Sequence, residues 1–348
     1  MSEVDILVLF EHPEWQQPLF QALERRGRSV AAFDLKAAAF DPGGLPTARL
    51  VFNQASPSAY VRGNHRAVPL ALALLRAFEA AGVPVVNGHQ AFGLELSKAA
   101  QLALLRRLGL RAPRTLVFND LDGLRATLDR QDEPFPFPAL VKPDQGGSGA
   151  RMHKVDDLDA LERIVARDPS IWSPDPVLLL QELLPIDPEQ GIVRMEFLGG
   201  ELLYAMRVVS NGAFNLCPSE VCHPVDGEEA EGSGGTCAIP AGPRVTFHDY
   251  PEVPEAAVDG GRRILAAGGL DIGGIEYAEV DGTPVFYDVN ANSNLRPAIA
   301  EAHGFDPFER VVDYLDQRLS ETKPSGAAGR PSGSGDPAGD TRRLRATG

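Results

Sequence analysis

The chain has 348 residues, 48 acidic against 33 basic, for a formal charge of −15. That balance argues against a protein that grips a nucleic-acid backbone, whose affinity comes from cations neutralising phosphates. With 43% hydrophobic and 23% charged residues the composition is that of an ordinary globular chain, long enough for two or three compact units.

No apolar run approaches the roughly 18 residues needed to span a bilayer. The run 6–10 is too short for a secretory core and lacks a basic flank. The three cysteines all fall between positions 217 and 237, which is no disulfide framework for a chain this large. Reduced thiols, a cytoplasmic home and no membrane partner are therefore expected.

In chain order, residues 4–10 form an apolar run of strand length, 18–26 carry helical spacing in Leu19, Phe20 and Leu23, Gly27 stops the helix, and 29–33 resume strand character. A second round follows: strand 49–53, a helix over 67–81 with Leu70, Leu74 and Phe78 on one stripe, Gly82, and strand 83–86. Strands and helices alternating at this interval predict a parallel, helix-covered sheet over residues 1–96. Phe10-Glu11-His12-Pro13 follows the first strand where a dinucleotide fold would carry GxGxxG, so a dinucleotide site is not expected.

Ser97 is a natural N-cap for a helix running to Leu108, with Gly109 as its stop and Pro113 beyond. Hairpins then take over. Strands are predicted over 139–142 and 177–182, over 193–198 and 201–208 across Gly199-Gly200, and over 274–280 and 285–290 across Asp281-Gly282. From Glu321 onwards Gly, Pro, Ser and Ala dominate, and 321–348 reads as a disordered tail.

Two features carry chemistry. In Val141-Lys142-Pro143-Asp144-Gln145-Gly146-Gly147-Ser148-Gly149 a strand ends in a lysine and a glycine-rich loop follows, whose backbone N–H groups can approach an anion closely. The lysine precedes the glycines, so this is not a P-loop. Lysine is scarce, five residues against 28 arginines, which makes each survivor more informative, because an ammonium is a point charge that a guanidinium does not mimic.

The second feature is Glu276, Asp288 and Asn290 on the last hairpin. A strict two-residue Asp281-Gly282 loop puts Glu276 opposite Tyr287 and turns Asp288 to the other face. An odd-length loop centred on Gly282 puts Glu276 opposite Asp288, with Asn290 two residues on and on the same side. Opposed side chains lie about 5 Å apart, close enough for two carboxylates and an amide oxygen to share divalent cations.

Together with Lys98, these motifs resemble the ATP-grasp superfamily over about 97–320, within it the carboxylate–amine ligases related to glutathione synthetase and to the enzymes that add glutamate to ribosomal proteins. The resemblance implies an α/β N-terminal domain (1–96) followed by two α+β subdomains of the ATP-grasp fold, a lid of about 110–180 and a metal-binding part of about 181–320. It implies ATP and Mg²⁺, with Mn²⁺ as a substitute. Lys98 and Lys142 would bind phosphates, and Gly146, Gly147, Ser148 and Gly149 would close over them. Gln181, Glu182, Leu183 and Leu184 would receive adenine on their backbone. Glu276, Asp288 and Asn290 would hold metal. Arg207 would face the transferring phosphoryl group, and Arg296 would hold a substrate carboxylate or acyl phosphate.

The chain departs from that pattern in two places. Asp288 stands where relatives commonly have Glu, and Ile192 stands where close relatives often carry an acid two residues before the arginine aligned with Arg194. A ribose contact must then come from elsewhere, with Asp187 or Glu189 as candidates.

The implied activity is ATP-dependent joining of a small-molecule or peptide carboxylate to an amine acceptor through an acyl phosphate, with release of ADP and phosphate. A phosphotransferase on the same scaffold and a non-catalytic ATP sensor are the alternatives. Substrate contacts are expected from loops, including 56–64 and the segment with Cys217, Cys222, His223 and Cys237. Those four side chains lack the paired CxxC spacing of a structural zinc site, so a thiol-containing substrate loop is the expectation. A homodimer is only the default oligomer.

Overall fold

The computed structural model of the chain describes residues 3–147, 149–173, 175–210 and 245–321. Ser148, the cysteine segment with Cys217, Cys222, His223 and Cys237, and the tail beyond Glu321 lie outside the described residues. Glu321 itself ends the last helix rather than opening a tail.

The first sheet contains β1 (Val4–Phe10), β2 (Val30–Asp34), β3 (Ala48–Gln54) and β4 (Val85–Val86), all parallel, in the order β2-β1-β3-β4. Helix α1 (Pro13–Arg25) joins β1 to β2 and α2 (Ala67–Ala80) joins β3 to β4. The near-continuous burial of β1 is what a parallel strand covered on both faces requires. Helix α1 starts five residues before the predicted 18. Pro13 opens it, where a missing N–H costs nothing, and Pro18 is accommodated inside it.

The strand order reverses between β1 and β3, so their carboxyl ends open a crevice at a topological switch point. Residues 11–15 and 55–58 occupy it.

Short helices α3 (His89–Glu95) and α4 (Lys98–Arg107) lead to a second, antiparallel sheet of β5 (Thr115–Phe118), β6 (Ala139–Pro143), β7 (His153–Val155) and β8 (Leu178–Glu182), ordered β5-β8-β6-β7. With α5 (Leu121–Leu128) and α6 (Leu158–Arg167) it encloses a core of its own that includes Phe118, Leu124, Val141, Leu161 and Leu180.

The third sheet is antiparallel, ordered β11-β10-β9-β12-β13, from β9 (Ile192–Leu198), β10 (Glu201–Ser210), β11 (Val245–Asp249), β12 (Ile272–Val280) and β13 (Thr283–Asn290). One face packs against α4 and α7 (Glu255–Gly268). The other shares a core with the first sheet and with α8 (Pro297–Ala302) and α9 (Pro307–Glu321), uniting Ile6, Leu50, Met206, Ile272 and Leu315. The first and third sheets are therefore bound through common apolar contacts, whereas most of the second sheet's buried side chains form a core of their own, with Leu179 of β8 reaching the core of the third sheet.

Asn87 reinforces that union. Buried at φ 50°, it accepts from the Asp271 N–H (2.8 Å), donates to the Ile272 carbonyl (2.8 Å) and also bonds the Ala291 carbonyl.

Two β-bulges set which side chains face where. The Gly199-Gly200 turn pairs Glu201 with Leu198 and Leu202 with Phe197, but Tyr204 then meets Glu196, which leaves Leu203 as an extra residue. The Asp281-Gly282 turn is a two-residue loop with both residues at positive φ. Tyr277 pairs with Phe286 and Glu276 with Asp288, so Tyr287 is the extra residue there. The acids are opposed, as one of the two predicted registers requires, but a bulge brings this about and not an odd-length loop.

Candidate active site

A cavity of about 510 Å³ opens where the three sheets meet. The glycine loop after β6, the end of β8, the inner residues of β9, β12 and β13, and the 56–58 loop of the first sheet line it.

Lys98 opens α4, whose N-terminus is fixed twice. Ser97 Oγ accepts from the Ala100 N–H (3.1 Å) and donates to Asp144 Oδ2 (2.8 Å), while Asp144 Oδ1 accepts from the Ala99 N–H (2.7 Å). Asp144 thus ties the glycine loop to the helix that carries Lys98. The Lys98 ammonium pairs with Asp288. Burial opposes its charge, but the carboxylates of Asp288 first and then Glu276 and Glu95 together outweigh burial and raise its pKa.

Lys142, 4% exposed, lies one residue before the end of β6 and has no carboxylate within ion-pair reach among the described residues. Burial, and then repulsion from Lys98, push it down to about 7. Gly146 and Gly147 leave room for close approach. A side chain on Gly146 would press on Lys98, and one on Gly147 would collide with Ser58 of the first sheet's loop.

Glu276 and Asp288 face each other across the ladder, with Asn290 beyond them donating to Asp288 Oδ2 at 3.3 Å. Burial and the nearby Asp288 charge raise Glu276. Burial acts the same way on Asp288, but Lys98 and Lys142 overcome it and hold the group below the usual range. Glu276 Oε1 accepts from Arg194 Nη1 (2.8 Å) and Oε2 from the Tyr287 hydroxyl (3.0 Å). Arg194 also donates through Nε to the fully buried Glu196 (2.6 Å), which accepts from the Ser293 hydroxyl as well. Gly274 has no side chain to obstruct this guanidinium, which lies across the β12 backbone.

Among the described residues no three His, Cys, Asp or Glu side chains converge on a common point, so the candidate metal ligands are two acids and one amide. An all-oxygen set whose opposed charges repel fits a hard divalent cation such as magnesium or manganese.

Of the other expected residues, Gln181, Glu182, Leu183 and Leu184 line the cavity on one side and Gly149 on another. Glu182 Oε2 accepts from the Arg114 N–H at 2.9 Å and Gln181 Nε2 donates to Thr115 Oγ1 at 3.1 Å, so both side chains are held and the chain between them is fixed.

Asp187 and Glu189, the expected ribose contacts, do not line the cavity. Ile186 and Pro188 do, and Asp187 accepts the Glu189 N–H within its own turn. Ile192 lines it too, so no acid replaces the one missing there.

Neither expected arginine lies on the cavity wall. The Leu203 bulge places Arg207 opposite Val193, on the α7 side of the sheet, where it bonds Glu279 (2.7 Å) and stacks on Tyr250 (4.3 Å). Arg296 is buried over the Phe247 ring (4.2 Å), its N–H donating to the Tyr204 hydroxyl. Among the described residues the arginine on the wall is Arg194.

The sequence reading also missed Trp15, Glu95, Tyr287 and Asn292, all of which line the cavity. Glu95 ends α3. Burial, opposed in part by the Asn292 N–H and reinforced by Asp288, raises its pKa to about 8.

No protein-family model and no curated protein sequence matches the chain. Solved structures do. The ATP-grasp ligase PsnB complexed with its minimal precursor superposes with a TM-score of 0.59 at 20% identity, over 90% of this chain and 98% of that one. The chain has the ATP-grasp fold. The same fold relates it to a RimK domain ATP-grasp protein from Sphaerobacter thermophilus (TM-score 0.63, 18% identity, 89% of this chain and 98% of that one). It also relates it to the D-alanine–D-alanine ligase of Bacillus anthracis complexed with ATP (TM-score 0.60, 13% identity, 92% and 99%). PsnB has further been solved with Mg and ADP.

Proposed function

We propose that the chain is an ATP-dependent ligase that activates a carboxylate as its acyl phosphate and joins it to an amine. The observation that carries this is the convergence, in one cavity, of a buried and a part-buried lysine and two opposed carboxylates with an amide beside them.

Lys98 and Lys142 would draw in the phosphates, and the glycine loop would offer its N–H groups to them. The strand end at Gln181–Leu184 would hold the adenine edge on its backbone. A magnesium ion held by Glu276, Asp288 and Asn290 would neutralise charge on the terminal phosphates when bound. Arg194 would keep Glu276 oriented between its two partners.

In the first step a carboxylate oxygen of the substrate bonds to the γ-phosphorus and the bond to the bridging oxygen breaks, so that ADP leaves. In the second the amine nitrogen bonds to the acyl carbon, the bond to phosphate breaks, and the amine proton leaves with phosphate or solvent. The acyl phosphate is prone to hydrolysis, and a lid with its own core, closing Gly147 on Ser58, excludes water until the amine reacts.

The test is an ADP-release screen of purified protein across carboxylates paired with amines, with mass spectrometry of the products. The expected result is ADP and an amide formed in equal amount, abolished in Lys142→Ala and Asp288→Asn. AMP as product, a stable phosphorylated acceptor, or turnover that survives both substitutions would overturn the reading.

A further inference from the structure

At the inner end of the cavity, against the first sheet, two buried oxygen atoms have no hydrogen-bond partner among the described residues: Glu95 Oε2 and Asn292 Oδ1. Glu95 is 5% exposed and Asn292 7%. They are neighbours, since the other Glu95 oxygen accepts from the Asn292 N–H at 3.3 Å. The Asn292 amide cannot turn to help. Its NH₂ donates to the Gln54 carbonyl (2.9 Å) and the Ala55 carbonyl (3.1 Å) at the end of β3, which leaves Oδ1 as the free end. The nearest cation along the chain, Lys98, is engaged by Asp288.

Leaving a buried acceptor unmade costs about 1–3 kcal/mol, and more for a charged one. These two oxygens stand on neighbouring residues; Glu95, whose pKa burial raises to about 8, offers both of its oxygens as acceptors only when ionised, a form that a ligand bringing several N–H donors and a positive charge would stabilise. A primary ammonium, with three donors on one atom, meets that demand. We propose that the Glu95–Asn292 corner is the seat of a protonated primary amine, an inference that rests on the ligase reading and assigns one of its substrates to a place.

Such an amine would sit beside the 55–58 loop at the carboxyl end of β3, and on that loop Ser58 meets Gly147 of the lid. Lid closure would then enclose amine and phosphates together. The ammonium belongs either to the acceptor, which then gives one proton to Glu95 before its nitrogen attacks, or to an amino group on the acyl donor, and the two are separable by experiment.

The full chain, saturated with AMPPNP and Mg²⁺, is probed by ligand-observed saturation-transfer NMR. One arm uses amines without a free carboxylate (ethanolamine, putrescine, glycinamide). The second uses free amino acids, and the third N-acetylglycine, which lacks the amine. At least one amine probe is expected to bind the wild type, with affinity falling about tenfold or more in Glu95→Gln and in Asn292→Leu. AMPPNP affinity reports that each variant is folded. Binding in the first arm assigns the corner to the acceptor; binding in the second alone assigns it to an aminated acyl donor. Amine binding that ignores both substitutions, or no amine binding to a protein that holds AMPPNP, overturns the inference and leaves the ligase reading standing. Failure of the wild type to hold AMPPNP overturns both.

Discussion

Lys142 makes nucleotide affinity depend on pH in a direction that can be worked out. Burial and Lys98 bring its pKa from 10.5 to about 7, a disadvantage to the charged form of about 5 kcal/mol. A triphosphate laid against the ammonium favours the charged form and restores a high pKa. Below about pH 7 the free chain already carries the proton, and binding takes up none. Above it, binding must draw a proton from solvent, about 0.9 per event at about pH 8, and affinity falls about tenfold per pH unit. Between about pH 6.5 and about pH 8.5 the loss amounts to about 25-fold. Calorimetric titration with Mg·AMPPNP in two buffers of different ionisation enthalpy reads both quantities, with Mg²⁺ in excess so that the nucleotide's own titration does not intrude. Lys142→Met should bind more weakly at low pH and show neither the uptake nor the slope. An affinity that is flat over this range, or a slope that survives the substitution, would refute the assignment of Lys142 as a buried, unpaired phosphate ligand.

Arg207 tests the geometry from the opposite side: on the α7 face of its strand, in a part-exposed pair with Glu279, Arg207→Ala should keep ADP release within about threefold and cost only about 0.5–1 kcal/mol in denaturant unfolding. Gly147→Val puts a branched side chain against Ser58. An overpacking cost of about 1–3 kcal/mol would lower the closed-lid population about 5- to 150-fold, read as a fall in turnover while protease protection by AMPPNP is lost. Asn87→Ala strips hydrogen bonds from Asp271, Ile272 and Ala291; a loss of about 2–4 kcal/mol, seen as a lower thermal midpoint that AMPPNP raises by the wild-type increment, would mark it as a joint and not a ligand residue.

The parts of this site that the sequence discloses are those encoded locally. Ser97 before Lys98, the lysine ahead of a glycine run, and the two Gly-containing turns each fix their own neighbourhood, so Lys98, Lys142 and the hairpin strands fall where local rules put them. The parts it conceals depend on one residue too many in a strand. Counting from the Gly199-Gly200 turn with no bulge sets Arg207 opposite Ile192, on the cavity face. The extra Leu203 turns it away. The extra Tyr287 does the reverse for Asp288. No glycine or proline marks either position. Glu95 and Asn292 are hidden for a different reason: each is an ordinary polar residue at or just past the end of an element, and only the approach of α3 and β3 to the loop after β13 brings the two residues together.

If a bulge and not the turn sets the acids in register, deleting its extra residue should be tolerated. Removing Tyr287 leaves every existing pair intact, from Val280–Thr283 to Tyr277–Phe286 and from Glu276–Asp288 to Gly274–Asn290, and converts the bulge into a regular ladder. What is lost is the hydroxyl bond to Glu276 and contact with the Ala278, Val280 and Val285 cluster, about 1–3 kcal/mol in all. Removing Val285 instead can keep Glu276 opposite Asp288 only by absorbing the bulge on the turn side. Phe286 then leaves its buried place against Tyr277 (ring centroids 5.8 Å apart) and the Tyr287 hydroxyl enters the core. That should cost about 3–5 kcal/mol. Denaturant unfolding of the two deletions measures the difference, and Mg·AMPPNP titration asks whether the Tyr287 deletion still binds within about tenfold of the wild type. A Tyr287 deletion that unfolds cooperatively at near wild-type stability yet no longer binds Mg·AMPPNP would mean that opposing the two acids is not what the nucleotide site requires.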